Sequence, residues 1–392
     1  MKRREFLSMA AATGAALSMP RAFSASVPTS GVPSQPDACA TAASRRGKLL
    51  ILIELKGGND GLNTVVPFAD PAYYALRRRI AVARDQVIAL DERIALHPSL
   101  RLLLPLWRSG QLAVVQGVGC AQANPSHFRS MEIWDTGSRA NVYRRDGWLA
   151  RAFAQWRVSH ARAAAAIFGS VEAGPFAGLS FAHASHDAWT HVPDPDDAPC
   201  FNRTNVNLAE DDRVTGDLFN ASFAPPSRPA TFLDSIEAAS RTAVVGAQQG
   251  SYGAIRVTLD GFDTHANQSE RHAVLLEQLA QGCATLHAEL VRRGRWNDTL
   301  IITYSEFGRS ARENPARGTE HGGAASHFMM GGRVRGGLYG QSPDLARLDG
   351  TGQLPVEIDF RRLYATVLGP FWGLETRGIL HDDVKPLPLL RA

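Results

Sequence analysis

The run Thr299–Tyr304, TLIITY, is β-branched and apolar, follows an Asn297-Asp298 turn and stops at Ser305-Glu306-Phe307-Gly308. A short unbroken apolar run bounded by turn residues reads as a strand buried on both faces, the habit of parallel sheets covered by helices. It commits the chain to an α/β layout and delivers Glu306 to the carboxyl end of a strand, where open α/β sheets carry their chemistry. Further along, Glu320-His321 sits between glycines, His327 follows, and a second apolar run ends at Gly331-Gly332. Carboxylate and imidazole so placed suggest a metal.

Leu49–Leu55, LLILIEL, is a run of the same kind and enters Lys56-Gly57-Gly58-Asn59-Asp60-Gly61. Glycines on both sides of Asn59-Asp60 allow a tight loop that gathers side-chain oxygens and backbone at one point, which makes Asp60 a candidate ligand. The same letters also read as a plain Asn-Asp-Gly turn. The loop is not a phosphate-cradling P-loop, because the Lys precedes the glycines and no Gly-Lys-Ser/Thr follows. Helices are expected over 73–79 and 99–108, the second stopped by Gly110 before a strand at Leu112–Val118, the rhythm of a parallel sheet with crossover helices. Pro125 and Ser126 open a helix whose first turn offers amide donors to an oxyanion. Ser126 is therefore both a candidate N-cap and a candidate nucleophile, and His127 beside it is a candidate base, ligand or packed surface histidine.

Ala254–Leu259 is a further strand, followed by Asp260-Gly261-Phe262-Asp263-Thr264-His265. Residues i and i+2 of an extended backbone point to one side, so Asp263 and His265 can reach one cation. Asp263 also reads as a turn residue capping the next helix, 269–293, whose Leu275, Leu279, Cys283, Leu286 and Leu290 form an apolar stripe. A last helix is expected over 359–368, stopped by Gly369-Pro370. Residues 138–250 are Arg- and Ala-rich helical pieces with an Asp-Pro-rich run from Pro193 to Pro199, the pattern of an inserted cap region. Its His183, His186 and His191 are irregularly spaced in a polar loop and read as solvated.

The formal charge of +4 is mild and the arginines are scattered, which excludes a nucleic-acid surface. Residues 1–25 read as a signal peptide of the twin-arginine kind, with Arg3-Arg4-Glu5-Phe6-Leu7 ahead of a short apolar stretch, and 26–46 as a flexible leader. The expected destination is the periplasm or another exported location, with no membrane span after signal removal. Cys39, Cys120, Cys200 and Cys283 form no CxxC pair, so a zinc-thiolate site is not expected, while an oxidising destination permits disulfides.

LILIELKGGNDGLN, LHPSL, SHFRSMEIWDTG, FDTHANQ, TYSEFGR and GTEHGG, in this order, resemble the exported family known as domain of unknown function 1501, itself similar to the alkaline phosphatase and sulfatase superfamily. The likeness runs from about Lys48 to Gly373. It implies a three-layer alkaline-phosphatase-like core in residues 47–392, with a mostly parallel sheet, helices on both faces and the inserted cap. It also implies a divalent metal (zinc, manganese, magnesium or calcium) held by Asp60, Asp263, His265, Glu306 and His321. Ser126 falls at the nucleophile. For the hydrolysis so implied, Arg309 and His127 are candidates to stabilise transition-state oxygens, and Arg309 is equally a candidate structural ion-pair partner. Two departures stand out: Phe307 replaces the usual histidine after Glu306, and the sulfatase Cys-x-Pro-x-Arg pattern is missing. The resemblance supports an exported metal-dependent hydrolase of phosphate or related esters, acting on a small-molecule or polymer ester. The alternative is a non-catalytic exported binding or assembly protein that keeps the fold and captures an exported protein partner.

Overall fold

The computed structural model describes residues 47–121, 126–158, 163–179, 190–191, 231–247, 252–349 and 352–391. The expected signal, leader, His183, His186, Cys39 and Cys200 lie outside them. The described strands are β1 (Leu49–Lys56), β2 (Val65–Val66), β3 (Ile88–Ala89), β4 (Ala95–Leu96), β5 (Leu112–Gly119), β6 (Ala163–Phe168), β7 (Thr190–His191), β8 (Tyr252–Asp260), β9 (Thr299–Tyr304), β10 (Arg309–Glu313), β11 (Thr319–His321), β12 (Ala325–Met330), β13 (Gly337–Tyr339) and β14 (Ile358–Asp359). The main helices are α1 (His127–Thr136), α2 (Trp148–Val158), α3 (Phe232–Ala247), α4 (Gln268–Arg292) and α5 (Arg361–Thr366).

The central sheet runs β13-β5-β12-β9-β1-β8-β6-β7, with β14 also on β5. β9, β1, β8 and β6 are mutually parallel neighbours, while β12 runs antiparallel to both β9 and β5. β5 therefore points the same way as β9, and the carboxyl ends of β1, β5, β8 and β9 share one edge.

Alternation along β1 makes the layers. Leu50 and Leu52 enter a core with Trp134 of α1, Phe153 of α2 and Leu363 of α5; Leu49, Ile51 and Ile53 enter another with Ile236 of α3 and Leu279, Leu286 and Leu290 of α4. A strand buried on both faces has no polar side to show, which is why β1 and β9 read as unbroken apolar runs. The described part of 138–250 belongs to these layers: β6 pairs in parallel with β8, and Trp148, Phe153 and Phe176 are buried in the core. The helical reading of the alanine run Ala163–Phe168 is corrected here. Between β7 and β8 its backbone groups are taken up by the sheet, and tertiary pairing outweighs alanine's helix propensity. Cys120 and Cys283 are buried free thiols, and among the described residues no helix is long and apolar enough to cross a membrane.

Candidate metal centre

Four chain segments reach the shared edge. β5 leads into α1, which carries His127 at its first position; β8 leads to Asp263 and His265; β9 leads to Glu306; and the β10–β11 hairpin brings back His321. One ligand atom from each of His127, Asp263 and His321 lies within 4.8 Å of the others. Around Asp263 Oδ1 stand His127 Nε2 at 3.6 Å, His321 Nε2 at 3.5 Å and His265 Nε2 at 3.0 Å, with Arg309 Nη2 at 2.6 Å. His265 Nε2 is also 3.0 Å from His321 Nε2.

A carboxylate oxygen has two lone pairs and cannot accept from four donors, and two imidazole nitrogens facing each other at 3.0 Å cannot both present protons. Nitrogen lone pairs converging on one point fit a cation. Imidazoles with one carboxylate make a nitrogen-rich set that suits zinc, whereas magnesium and calcium favour all-oxygen surroundings. Burial alone would raise the Asp263 carboxyl, but the Arg309 hydrogen bond and charge, with the nearby histidines, hold it below the usual carboxylate range.

Glu306 reaches this point through His127. Its buried Oε1 lies 2.8 Å from His127 Nδ1 and accepts from the Gly57 amide at 2.9 Å. The bond keeps the proton on Nδ1 and turns Nε2 toward Asp263, the arrangement in which a carboxylate orients a ligand imidazole and increases its basicity. The same Glu306 bond raises the His127 pKa. Glu320 serves His265 alike, with Oε2 3.2 Å from Nδ1, and is itself held by the Asn314 amide at 2.8 Å. The acidic letter before His321 was visible in the sequence; its pairing with His265, on the loop after β8, was not.

Asp60 is engaged elsewhere. Its Oδ1 accepts from the Leu62 and Asn63 amides at 3.1 and 3.3 Å as the N-cap of the short helix Gly61–Thr64, and its Oδ2 from Arg77 Nη1 at 2.6 Å and from Gln268 Nε2. It is not among the groups that converge. Arg309 is buried and spends its donors on the carbonyls of Gly57, Gly58, Phe262 and Thr319 besides Asp263, so it braces two loops and β11 around the site. Ser126 is exposed at the N-cap of α1, and its side chain makes no capping bond. Phe307 lies against His321 and His127, ring centroids 4.5 and 4.8 Å apart.

Fold and site together define an α/β protein with a candidate metal centre at the carboxyl edge of its sheet. Residues 227–382 match the family described as "Protein of unknown function (DUF1501)", the family to which the sequence motifs point. No curated protein matches the chain. Among solved structures it is similar to a protein in the alkaline phosphatase superfamily from Vibrio parahaemolyticus (13% identity, TM-score 0.43, covering 87% of this chain and 70% of that one). It is similar also to the putative sulfatase yidJ from Bacteroides fragilis (10%, 0.42, covering 91% and 78%) and to the lipoteichoic acid synthase LtaP from Listeria monocytogenes (10%, 0.39, covering 86% and 76%).

Proposed function

We propose that the protein is an exported, metal-dependent hydrolase of phosphate or related esters, with Ser126 as nucleophile. The observation that carries this reading is the convergence of His127, Asp263 and His321 where parallel strands end. A divalent cation bound there supplies Lewis acidity toward an ester oxygen and makes a nearby hydroxyl easier to ionise. The chain's own part is positioning: Glu306 fixes the His127 ring, Glu320 the His265 ring, and Arg309 the Asp263 carboxylate. Ser126, one residue before His127, attacks the ester's central atom; the Oγ bond forms, the alcohol leaves with the hydroxyl proton, and water then releases the product. Export by the twin-arginine route is proposed from the Arg3-Arg4 segment, and fractionation of cells making the full chain tests it.

A second reading, a non-catalytic exported binding protein, draws on Phe307. Its ring packs against both His127 and His321, at the position where the resembled superfamily usually has a histidine. Metal analysis of the folded protein beside an ester panel decides between them. The hydrolase reading expects stoichiometric divalent metal, its loss in Asp263→Ala and in His321→Ala, and ester turnover abolished by Ser126→Ala. Metal without turnover of any ester supports the binding protein, and a folded wild type that holds no divalent ion overturns both.

A further inference from the structure

A cavity of about 570 Å³ opens beside the metal centre, with His127, Asp263 and Glu306 in its wall. Its longest side is α1, where His127, Met131 and Asp135 succeed one another at one-turn spacing. At 1.5 Å rise per residue the wall from His127 to Asp135 is roughly 12 Å long. A water molecule's share of liquid volume is about 30 Å³. The cavity is thus sized for an organic group, not for a phosphoryl group alone.

Asp135 forms the far end of this wall and is used by nothing described so far. Its Oδ1 is buried without a hydrogen-bond partner. Arg256 lies beside it but is committed elsewhere, donating to Glu54 Oε2 at 3.1 and 2.9 Å, to the Glu172 carbonyl at 2.9 Å and to Ser170 Oγ at 3.2 Å. Gly174, at φ +54°, lets the backbone press against both groups: a Cβ there would stand 1.9 Å from Arg256 Nη1 and 3.3 Å from Asp135 Oδ1. The guanidinium charge already has Glu54 as counter-ion, so Asp135 is a second carboxyl beside one cation. Burial pushes it up to about 8 against the pull of Arg256, with Glu54, Glu172 and Glu306 adding to the rise. The rise favours the protonated carboxyl, which donates a hydrogen bond.

The surroundings narrow what it meets. An ammonium group at Asp135 would sit against Arg256, and the rest of the charged lining is mixed, Lys56, Arg144 and Arg145 beside Glu132, Glu172 and Asp260, with Glu172 paired to Lys56. A neutral oxygen acceptor needs no counter-charge from these walls. Met131 and the 91% exposed Phe128, both lining the cavity, offer apolar surface to a carbon skeleton.

We infer that this cavity is the subsite for the alcohol part of the ester and that Asp135 donates a hydrogen bond there to a hydroxyl or ether oxygen, so that the preferred substrates are esters of hydroxyl-rich alcohols. The inference rests on the ester-hydrolase reading. Calorimetric titration of the full chain with its metal, using the non-hydrolysable phosphonate analogue of α-glucose 1-phosphate and inorganic phosphate as probes, separates the two. The sugar phosphonate is expected to bind about tenfold more tightly than phosphate, the worth of a hydrogen bond plus apolar contact. Asp135→Leu is expected to remove that advantage and leave phosphate binding unchanged, while Asp135→Asn, which keeps an N–H donor, retains most of it. Equal binding of both probes by the wild type, or an advantage that survives Asp135→Leu, overturns the subsite and leaves the hydrolase reading standing. Loss of phosphate binding in both variants makes Asp135 part of the site's architecture and likewise overturns it. A wild type that binds neither probe overturns the ester reading and the subsite with it.

Discussion

Asp60 and Glu306 are buried carboxylates just beyond parallel strands, and their partners give them different work. Asp60 faces Arg77 at 2.6 Å with both side chains buried, and it also caps a helix. Removing one member of such a pair leaves a buried charge uncompensated, so Arg77→Ala and Asp60→Ala should each lower the unfolding free energy by about 3–5 kcal/mol. Urea titration reads the loss, and metal content measured where the variants remain folded should match the wild type. Burial alone would raise the Asp60 carboxyl, but the charge and hydrogen bond of Arg77 hold it below its ordinary 3.8. Its stabilisation is therefore complete above that value and is lost as pH falls through the lower folded pKa; Asp60→Asn should flatten this acid limb. The Gly-Asn-Asp-Gly letters allowed both ligand and turn. What separates them is Arg77 and Gln268, one of them more than two hundred positions away, which no local pattern reports.

Elements that bury one apolar run or stripe were legible from the letters alone: β1, β5, β8, β9 and the long helix α4 all fall within a few residues of their expected places. β6 was concealed because a run of alanines carries no strand signature, and the antiparallel direction of β12 because an apolar run has no sense of direction. The β10–β11 hairpin was concealed for another reason. Its strands are short and mixed in polarity, and their position is dictated by the loop that they touch. Gly318 lies so close to that loop that a Cβ would stand 2.2 Å from the carbonyl carbon and oxygen of His265. Gly318→Ala should push the hairpin from the His265 segment and separate His321 from Asp263. Weakened metal retention against a competing chelator, with an unchanged near-ultraviolet dichroism spectrum from the buried aromatics, is the expected result. Unchanged retention would show that the hairpin's placement is not needed by the centre.

At the scale of the molecule, the centre joins segments that follow β5, β8 and β9 and the hairpin beyond them, so sequence order separates what the fold brings together. A cation held by His127, Asp263 and His321 would tie α1 to the loop after β8 and to β11, two segments that already hydrogen-bond to each other through Thr319 and Thr264. Anything that binds the folded chain and not the unfolded one stabilises it by an amount that grows with the logarithm of its free concentration over the dissociation constant, about 4 kcal/mol at a thousand times that constant. For a domain of this size that corresponds to a change in melting temperature on the order of 5–10 °C. Thermal unfolding with and without excess chelator should show this drop in the wild type, and His321→Ala, already without its cation, should melt near the chelated wild type and respond little to chelator. Arg77→Ala should melt lower yet keep the full response, because its defect lies in the Asp60 network. A wild type indifferent to chelator would mean that the imidazoles meet around Asp263 for packing alone, and the proposed chemistry would lose its foundation.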